Sequence, residues 1–290
     1  MSLPLLRPSR HLSRSRQLAG LALTGLLLTG CASQSATPTS NPAYSQRDLN
    51  ERLVMATAWM QSAAEYRALS YQAFNVARDR LDAILDEDDG NRPLAVVVDC
   101  DETVIDNSAF EAYLVGRDAA YDSERWHRWM EDRQARAMPG ALDFLTYADE
   151  QGVDIYYITN RDADALEATR DNLEALGFPQ ADDDHLMLRT DTSDKQPRRD
   201  AVLADHRVAL YMGDNLSDFE SQFDSDDPAE RRALATARQA RFGRHFILLP
   251  NPAYGAWEGA IYGGDWGLSP AQKDKARKAA LEPWQPTGTP

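Results

Sequence analysis

The sequence predicts an α/β fold: a doubly wound parallel sheet flanked by helices, with an N-terminal helical segment and a small helical cap. Three observations predict it. Leu94-Ala95-Val96-Val97-Val98 is a continuous apolar, β-branched run, as a strand buried on both faces requires. Similar runs recur at 153–158, 208–212 and 246–249. Helical stretches separate these runs, which implies βαβ units with right-handed crossovers.

Residues 1–30 stand apart from that domain. Arg7, Arg10, Arg14 and Arg16 precede an apolar run at 18–28 that is too short to span a bilayer comfortably. The run ends Leu28-Thr29-Gly30-Cys31. A basic stretch, a short apolar stretch and small residues before a cysteine resemble a bacterial lipoprotein signal peptide. The resemblance implies that Cys31 becomes the lipid-bearing first residue after cleavage. Ala32 follows it, with no Asp to suggest inner-membrane retention, so the expected location is the outer membrane, reached through the lipid anchor.

The 290-residue chain has 31 Lys+Arg against 46 Asp+Glu. Cleavage after residue 30 removes four arginines and no acid, leaving 27 basic residues and a net charge of −19. That balance excludes a basic nucleic-acid binder, and 43% hydrophobic residues exclude a wholly disordered chain. Acidity and a membrane anchor are compatible, because acyl chains supply the membrane affinity. The acidic runs at 86–89, 182–184 and 224–227 read as solvated loops. With Cys31 acylated, Cys100 has no partner for an internal disulfide.

Residues 31–45, rich in Ser, Thr, Gln, Asn and Pro, read as a flexible tether. The domain then occupies 46–290, with N-terminal helices at 46–88, a core at 93–250 and a C-terminal loop and helix at 251–290. Between 46 and 87 there is no Gly or Pro, and Leu49, Leu53, Ala56, Met60, Ala63, then Phe74, Ala77, Leu81 and Ile84 recur at three- and four-residue spacings. This is amphipathic helix, either one element or two broken near 69–71. Its stripe must pack on the following domain or on a partner subunit. Further helices are expected at 141–150 after Pro139-Gly140, at 163–176 closed by Gly177, and at 198–204.

In such sheets the reacting groups gather beyond the carboxyl ends of the strands. The first strand ends Val98-Asp99-Cys100-Asp101-Glu102-Thr103, so two carboxylates flank one residue just where burial stops. The second ends Ile158-Thr159-Asn160-Arg161, offering a hydroxyl and amide donors. The third ends Met212-Gly213-Asp214-Asn215-Leu216-Ser217-Asp218, with two further acids, and Lys195 stands between the second and third. Four carboxylates at one sheet edge repel each other without a cation. Oxygen-only ligands point to a hard divalent ion, Mg²⁺ by preference, and one lysine with the Thr159 and Asn160 donors suits a phosphate dianion. These are the parts of phosphoryl transfer through an aspartyl-phosphate.

The four strand-end motifs resemble those of the haloacid-dehalogenase superfamily of phosphohydrolases. Asp106-Asn107-Ser108, Trp126-His127-Arg128-Trp129, Met138-Pro139-Gly140-Ala141 and the stretch from Leu249-Pro250-Asn251 through Tyr254 to Glu258 narrow the resemblance to the class C acid phosphatases, typically lipoproteins, and to the lipoprotein e family of 5′-nucleotidases. The likeness runs from about residue 45 to the C-terminus. It departs at Cys100, where the family usually has an aliphatic residue whose side chain points away from the site.

The resemblance implies a HAD-like fold and roles residue by residue. Asp99 is the nucleophile. Asp101 is the general acid that later activates water, raised toward the working pH by its neighbours, and an acidic pH optimum follows. Mg²⁺ is held by Asp99, Asp214 and the backbone carbonyl of Asp101, with Asp218 orienting a metal-bound water or Lys195. Thr159, the backbone at Asn160 and Lys195 bind the phosphoryl oxygens. Trp126 and Tyr254 sandwich an aromatic leaving group, although Trp126 and Trp129, three apart, also fit one packing stripe. His127 reads as a surface or packing residue, since the mechanism needs no imidazole. The expected substrates are nucleoside 5′-monophosphates such as AMP and NMN and other aromatic phosphate monoesters, and the family leans to a homodimer. The competing reading is a lipoprotein that binds haem or another aromatic ligand on a phosphatase-like scaffold; the intact acid and lysine set favours the enzyme.

Overall fold

The computed structural model describes residues 44–287, so Cys31, the leader and most of the tether lie outside the described residues. Helices α1 (Gln46–Asn50), α2 (Val54–Ser62) and α3 (Ala64–Asp86) lead into β1 (Leu94–Val98). Short strands β2 (Ile105–Asp106) and β3 (Arg136–Ala137) pair antiparallel and bracket α4 (Ser108–Leu114) and α5 (Ser123–Glu131), the small helical cap. Next come α6 (Ala141–Glu150), β4 (Asp154–Asp162), α7 (Leu166–Leu176), β5 (Leu186–Arg189), α8 (Gln196–Asp205), β6 (Arg207–Gly213), α9 (Pro228–Ala237) and β7 (Phe246–Leu248). Helices α10 (Ala256–Ile261) and α11 (Pro270–Ala279) follow.

Five strands form one parallel sheet in the order β5-β4-β1-β6-β7. The chain builds outward from β1 to β5, then crosses to β6 and β7 on the other side, so β1 lies at the point where the order reverses. The apolar run of β1 alternates between two cores. Val96 and Val98 face Leu81, Phe144 and Ile155, beneath α3 and α6, while Ala95 and Val97 face Val202 of α8. Burial of a side chain such as Leu81, which is fully enclosed, contributes roughly 2 kcal/mol. Among the described residues no helix is long and apolar enough to cross a membrane.

The N-terminal stripe closes on its own domain: Phe74, Ala77, Leu81 and Ile84 all enter the main core. The break in this segment falls at Ala63, whose backbone is extended (φ −77°, ψ 129°), and not at 69–71, which lies within α3. No Gly or Pro marks Ala63, because any residue adopts that conformation. The turn lets Trp59 meet Tyr66 edge-on at 5.2 Å and sends Ser70 to donate to the Pro139 carbonyl. Strand β5 is an addition that the apolar runs do not reveal. It is a four-residue edge strand, Leu-Met-Leu-Arg, half-buried on alternate residues. Gly177 closes α7 in the left-handed conformation (φ 86°), as its position predicts.

Candidate active site

Register brings the strand ends together. Val98 lies opposite Tyr157 of β4 on one side and Met212 of β6 on the other, so the residues that follow each strand emerge side by side. The Asp99 N–H still donates to the Met212 carbonyl at 2.9 Å, and this extends the ladder one residue into the site. Beyond Asp99 the chain turns sharply: three consecutive N–H groups, of Thr103, Val104 and Ile105, converge on the Cys100 carbonyl. Cys100 itself is buried in the core, away from the carboxylates.

Asp99, Asp214 and Asp218 bring carboxylate oxygens within 4.8 Å of one another. Lys195, buried at the residue preceding α8, donates to Asp99 Oδ1 and, at 2.7 Å, to Asp218 Oδ1. One ammonium therefore serves a cluster of three carboxyl groups. Burial pushes Asp99 up to about 7 despite the opposing pull of Lys195. Burial, then the charges of Asp218 and Asp99, lifts Asp214 well above the usual carboxylate range. Burial lowers the Lys195 ammonium, but Asp218 and Asp99 outweigh it and raise it. Excess buried negative charge on oxygen donors alone suits a hard divalent cation. Asp99 and Asp214 fit as its carboxylate ligands, and Asp218, bonded to Lys195, fits an orienting role. Gly213 makes this possible: a Cβ there would come within 2.5 Å of the Asp218 Cβ.

The Asp101 side chain turns away from that cluster. Arg161 holds it, with Nε 3.0 and 3.2 Å from its two oxygens and Nη2 2.8 Å from Oδ1. Asn107 Nδ2 donates to the same Oδ1 at 2.8 Å. Asp101 thus lines the same cavity as the other acids with its carboxylate held by Arg161 and Asn107. The Thr159 hydroxyl, fully buried, lies 3.4 Å from Asp101 Oδ2. The Asn160 side chain is engaged by Arg198 at 2.7 Å and by the Ser193 carbonyl at 2.9 Å, so its backbone is what remains for a ligand.

A cavity of about 640 Å³ opens over these groups, lined by Asp99, Asp101, Asn160, Lys195 and Asp214 at one end. Trp126 and Tyr254 are on its wall. Trp126 stands edge-on to Phe110 at 5.0 Å, and the Arg161 guanidinium lies 5.8 Å from its ring centre. Trp129 has a separate task, donating from Nε1 to Asn107 Oδ1 at 2.8 Å. The Tyr254 hydroxyl donates to Glu102. His127 lies outside the cavity between Glu131 and Asp164, at 3.6 and 3.7 Å.

Several supporting residues act through partners that the sequence does not reveal. Glu102, fully buried with φ 58°, accepts from the Asn107 N–H at 2.7 Å as well as from Tyr254. Burial, then Asp101 and Asp214, raises Glu102 well above the usual carboxylate range. Asn251 donates to Asp214 Oδ2 at 2.8 Å and accepts from the N–H groups of Ala253 and Tyr254, tying the third strand's acid to the Tyr254 loop. Arg199 holds the Ser217 and Asp218 carbonyls at 2.9 and 3.0 Å. Arg161, Asn107 and Asn251 all stand inside motifs visible in the sequence; their partners are visible only once the chain is folded.

The model of the family described as "HAD superfamily, subfamily IIIB (Acid phosphatase)" matches residues 20–257. Among solved structures, the chain is similar to the class C acid phosphatase from Bacillus anthracis, at 42% identity and a TM-score of 0.79, over 82% of this chain and 99% of that one. It is likewise similar to the class C acid phosphatase from Bacillus anthracis with tungstate bound, at 41% identity and a TM-score of 0.78, over the same shares.

Proposed function

Since the chain belongs to the HAD-superfamily subfamily IIIB acid phosphatases, we propose that it is a Mg²⁺-dependent hydrolase of nucleoside 5′-monophosphates (AMP and NMN among them) and other aromatic phosphate monoesters. The observation that carries this reading is the position of Asp99: in contact with Lys195, beside Asp214, at the foot of a cavity whose wall holds Trp126 and Tyr254. That one relative holds tungstate, an oxyanion, supports a phosphoryl site of the same kind.

In this mechanism an Asp99 oxygen attacks phosphorus in line while the ester P–O bond breaks. Asp101 gives its proton to the departing oxygen, releasing the alcohol and leaving an aspartyl-phosphate. Asp101, now a carboxylate held by Arg161, takes a proton from water as that water attacks phosphorus. Phosphate leaves, and the Asp99 carboxylate is restored. Lys195, the Thr159 hydroxyl and the Asn160 backbone hold the phosphoryl oxygens as charge shifts. A magnesium ion held by Asp99, Asp214 and the Asp101 carbonyl would neutralise phosphoryl charge; Asp218 keeps Lys195 in place. Trp126 and Tyr254 clasp the aromatic leaving group.

The leader adds a location: the mature protein is tethered at the outer membrane through acylated Cys31. Labelled palmitate incorporated into the wild type and lost from Cys31→Ser tests the anchor. A homodimer is the proposed assembly, tested by light scattering of the protein lacking residues 1–31.

The direct test of the chemistry is phosphate release from AMP, NMN and phenyl phosphate across pH 5 to 8. Asp99→Asn, folded as judged by circular dichroism, loses turnover by at least about four orders of magnitude. Wild-type turnover in that variant would overturn the nucleophile assignment. The reading of a haem-binding scaffold has no comparable support, because a binder needs neither a nucleophile nor the Asp101–Arg161 pair beside it.

A further inference from the structure

Every buried carboxylate around the cavity has a hydrogen-bond donor among the described residues, with one exception. Lys195 serves Asp99 and Asp218, Arg161 serves Asp101, and Asn251 serves Asp214. Glu102 accepts from Asn107 and Tyr254, and Glu258 accepts from Arg277 and from the Tyr262 hydroxyl. Glu111 is the exception. Its side chain lines the same cavity and is only 8% exposed, yet its environment consists of burial and the repulsion of Glu258, with no donor among the described residues. Its oxygens are not among the fully enclosed unpartnered atoms, so their outlet is the cavity, and the partner they lack comes from what enters it.

Its place in the fold says what enters. Glu111 lies on α4 four residues beyond Asn107, the residue that touches Asp101, and its N–H approaches the Asn107 carbonyl at 3.4 Å. It therefore stands about one helical turn, ~5.4 Å, beyond Asn107, the residue that holds Asp101. It lines the same cavity as Trp126 and Tyr254, and its neighbour Phe110 stands edge-on to Trp126, so on the proposed reading it borders the leaving group. The same lining holds Lys273, and Arg277 bonded to Glu258. With Arg277 committed to Glu258 and Lys273 in the same lining, the surroundings of Glu111 do not call for a cationic ligand. Neutral hydroxyls, which donate to a carboxyl oxygen and accept from a carboxyl O–H, suit this group in either protonation state.

We infer that Glu111 is a specificity-determining residue whose carboxyl group hydrogen-bonds hydroxyl groups of the leaving alcohol. The inference rests on the reading that phosphate monoesters bind with phosphorus at Asp99. It extends that reading by naming the leaving-group feature the pocket selects, a pair of neighbouring hydroxyls such as a ribose presents.

The test compares esters that differ only in those hydroxyls. The ratio of kcat/KM for AMP over 2′,3′-dideoxy-AMP, and for glycerol 1-phosphate over propyl phosphate, is measured in wild type, Glu111→Gln and Glu111→Leu. Wild type favours the hydroxylated member by about tenfold or more, and Glu111→Leu brings the ratio to near one, with Glu111→Gln between. A purely structural role lowers both members alike and leaves the ratio unchanged, which would overturn the inference. A wild-type ratio near one in the glycerol pair overturns it without any variant, so misfolding of a variant cannot shelter it. Hydrolysis of phenyl phosphate and glycerol 1-phosphate but not AMP would sink the nucleotide reading alone, and the glycerol pair would still decide for or against Glu111.

Discussion

Arg161 grips Asp101 with its whole guanidinium edge, and the two come from neighbouring strand ends sixty residues apart. The arginine is 1% exposed and Asp101 faces the cavity, so a buried cation supports a carboxylate that must meet substrate. Arg161→Lys keeps the charge but loses the planar fork. The acid then swings, and kcat for phenyl phosphate falls on the order of a hundredfold. Steady-state kinetics check this, and an unchanged kcat would show that Asp101 needs no such support.

The buried acid cluster at Asp99, Asp214 and Asp218 predicts a link between metal and stability. Adding Mg²⁺ at about 100 times its Kd to chelator-treated protein stabilises the fold by about 2.7 kcal/mol. Calorimetry then registers a rise in Tm of roughly 5–10 °C. Asp214→Asn removes most of that rise, while a full rise in the variant would place the ion elsewhere.

Glu111 predicts a stability change with pH. Burial, and then Glu258, raises it from 4.5 to about 7. The unfolded chain releases this proton near pH 4.5 and the folded chain near 7, so the folded state binds more protons in between. The stabilisation is whole below about 4.5 and is lost as pH rises through 7, in total on the order of 3 kcal/mol. Glu111→Gln lacks this loss. Its urea midpoint gains on wild type between pH 5 and 8, and a constant gap across that range would contradict the assignment.

Gly213 tests the geometry from the opposite side. Gly213→Ala puts a methyl where Asp218 stands and pushes that side chain off Lys195. A stability loss of about 1–3 kcal/mol is expected from the overpacking. The kcat falls as well, by about tenfold, because Lys195 and Asp99 lose their alignment. A variant with lower Tm but intact kcat would separate the packing role from the catalytic one.

Much of this was readable in the residues themselves, for a physical reason. A parallel strand buried on both faces must be apolar throughout, so β1 and β6 announce themselves and their ends point to Asp99 and Asp214. Edge strand β5 is half-buried and alternates, so its four residues blend with a loop. The kink at Ala63 needs no special residue and leaves no mark. Arg161, Glu102 and Asn251 stand inside visible motifs, but their work lies in contacts across sixty, 152 and 37 residues that only folding supplies. Glu111 sits in a short helix with nothing in its neighbours to distinguish it from a solvated glutamate.

The central position of β1 has a temporal consequence. Its flanking partner β6 is translated only after β4, β5 and the helices between them, and Lys195 and Asp214 arrive with that later half. A ribosome-bound chain that has already made Asp99 holds an inert acid, without its lysine and without the carboxylates it must share a charge with. Catalytic power is thus switched on by completion of the sheet, and its loss on heating or in urea should report the disassembly of the whole domain, not the melting of one segment.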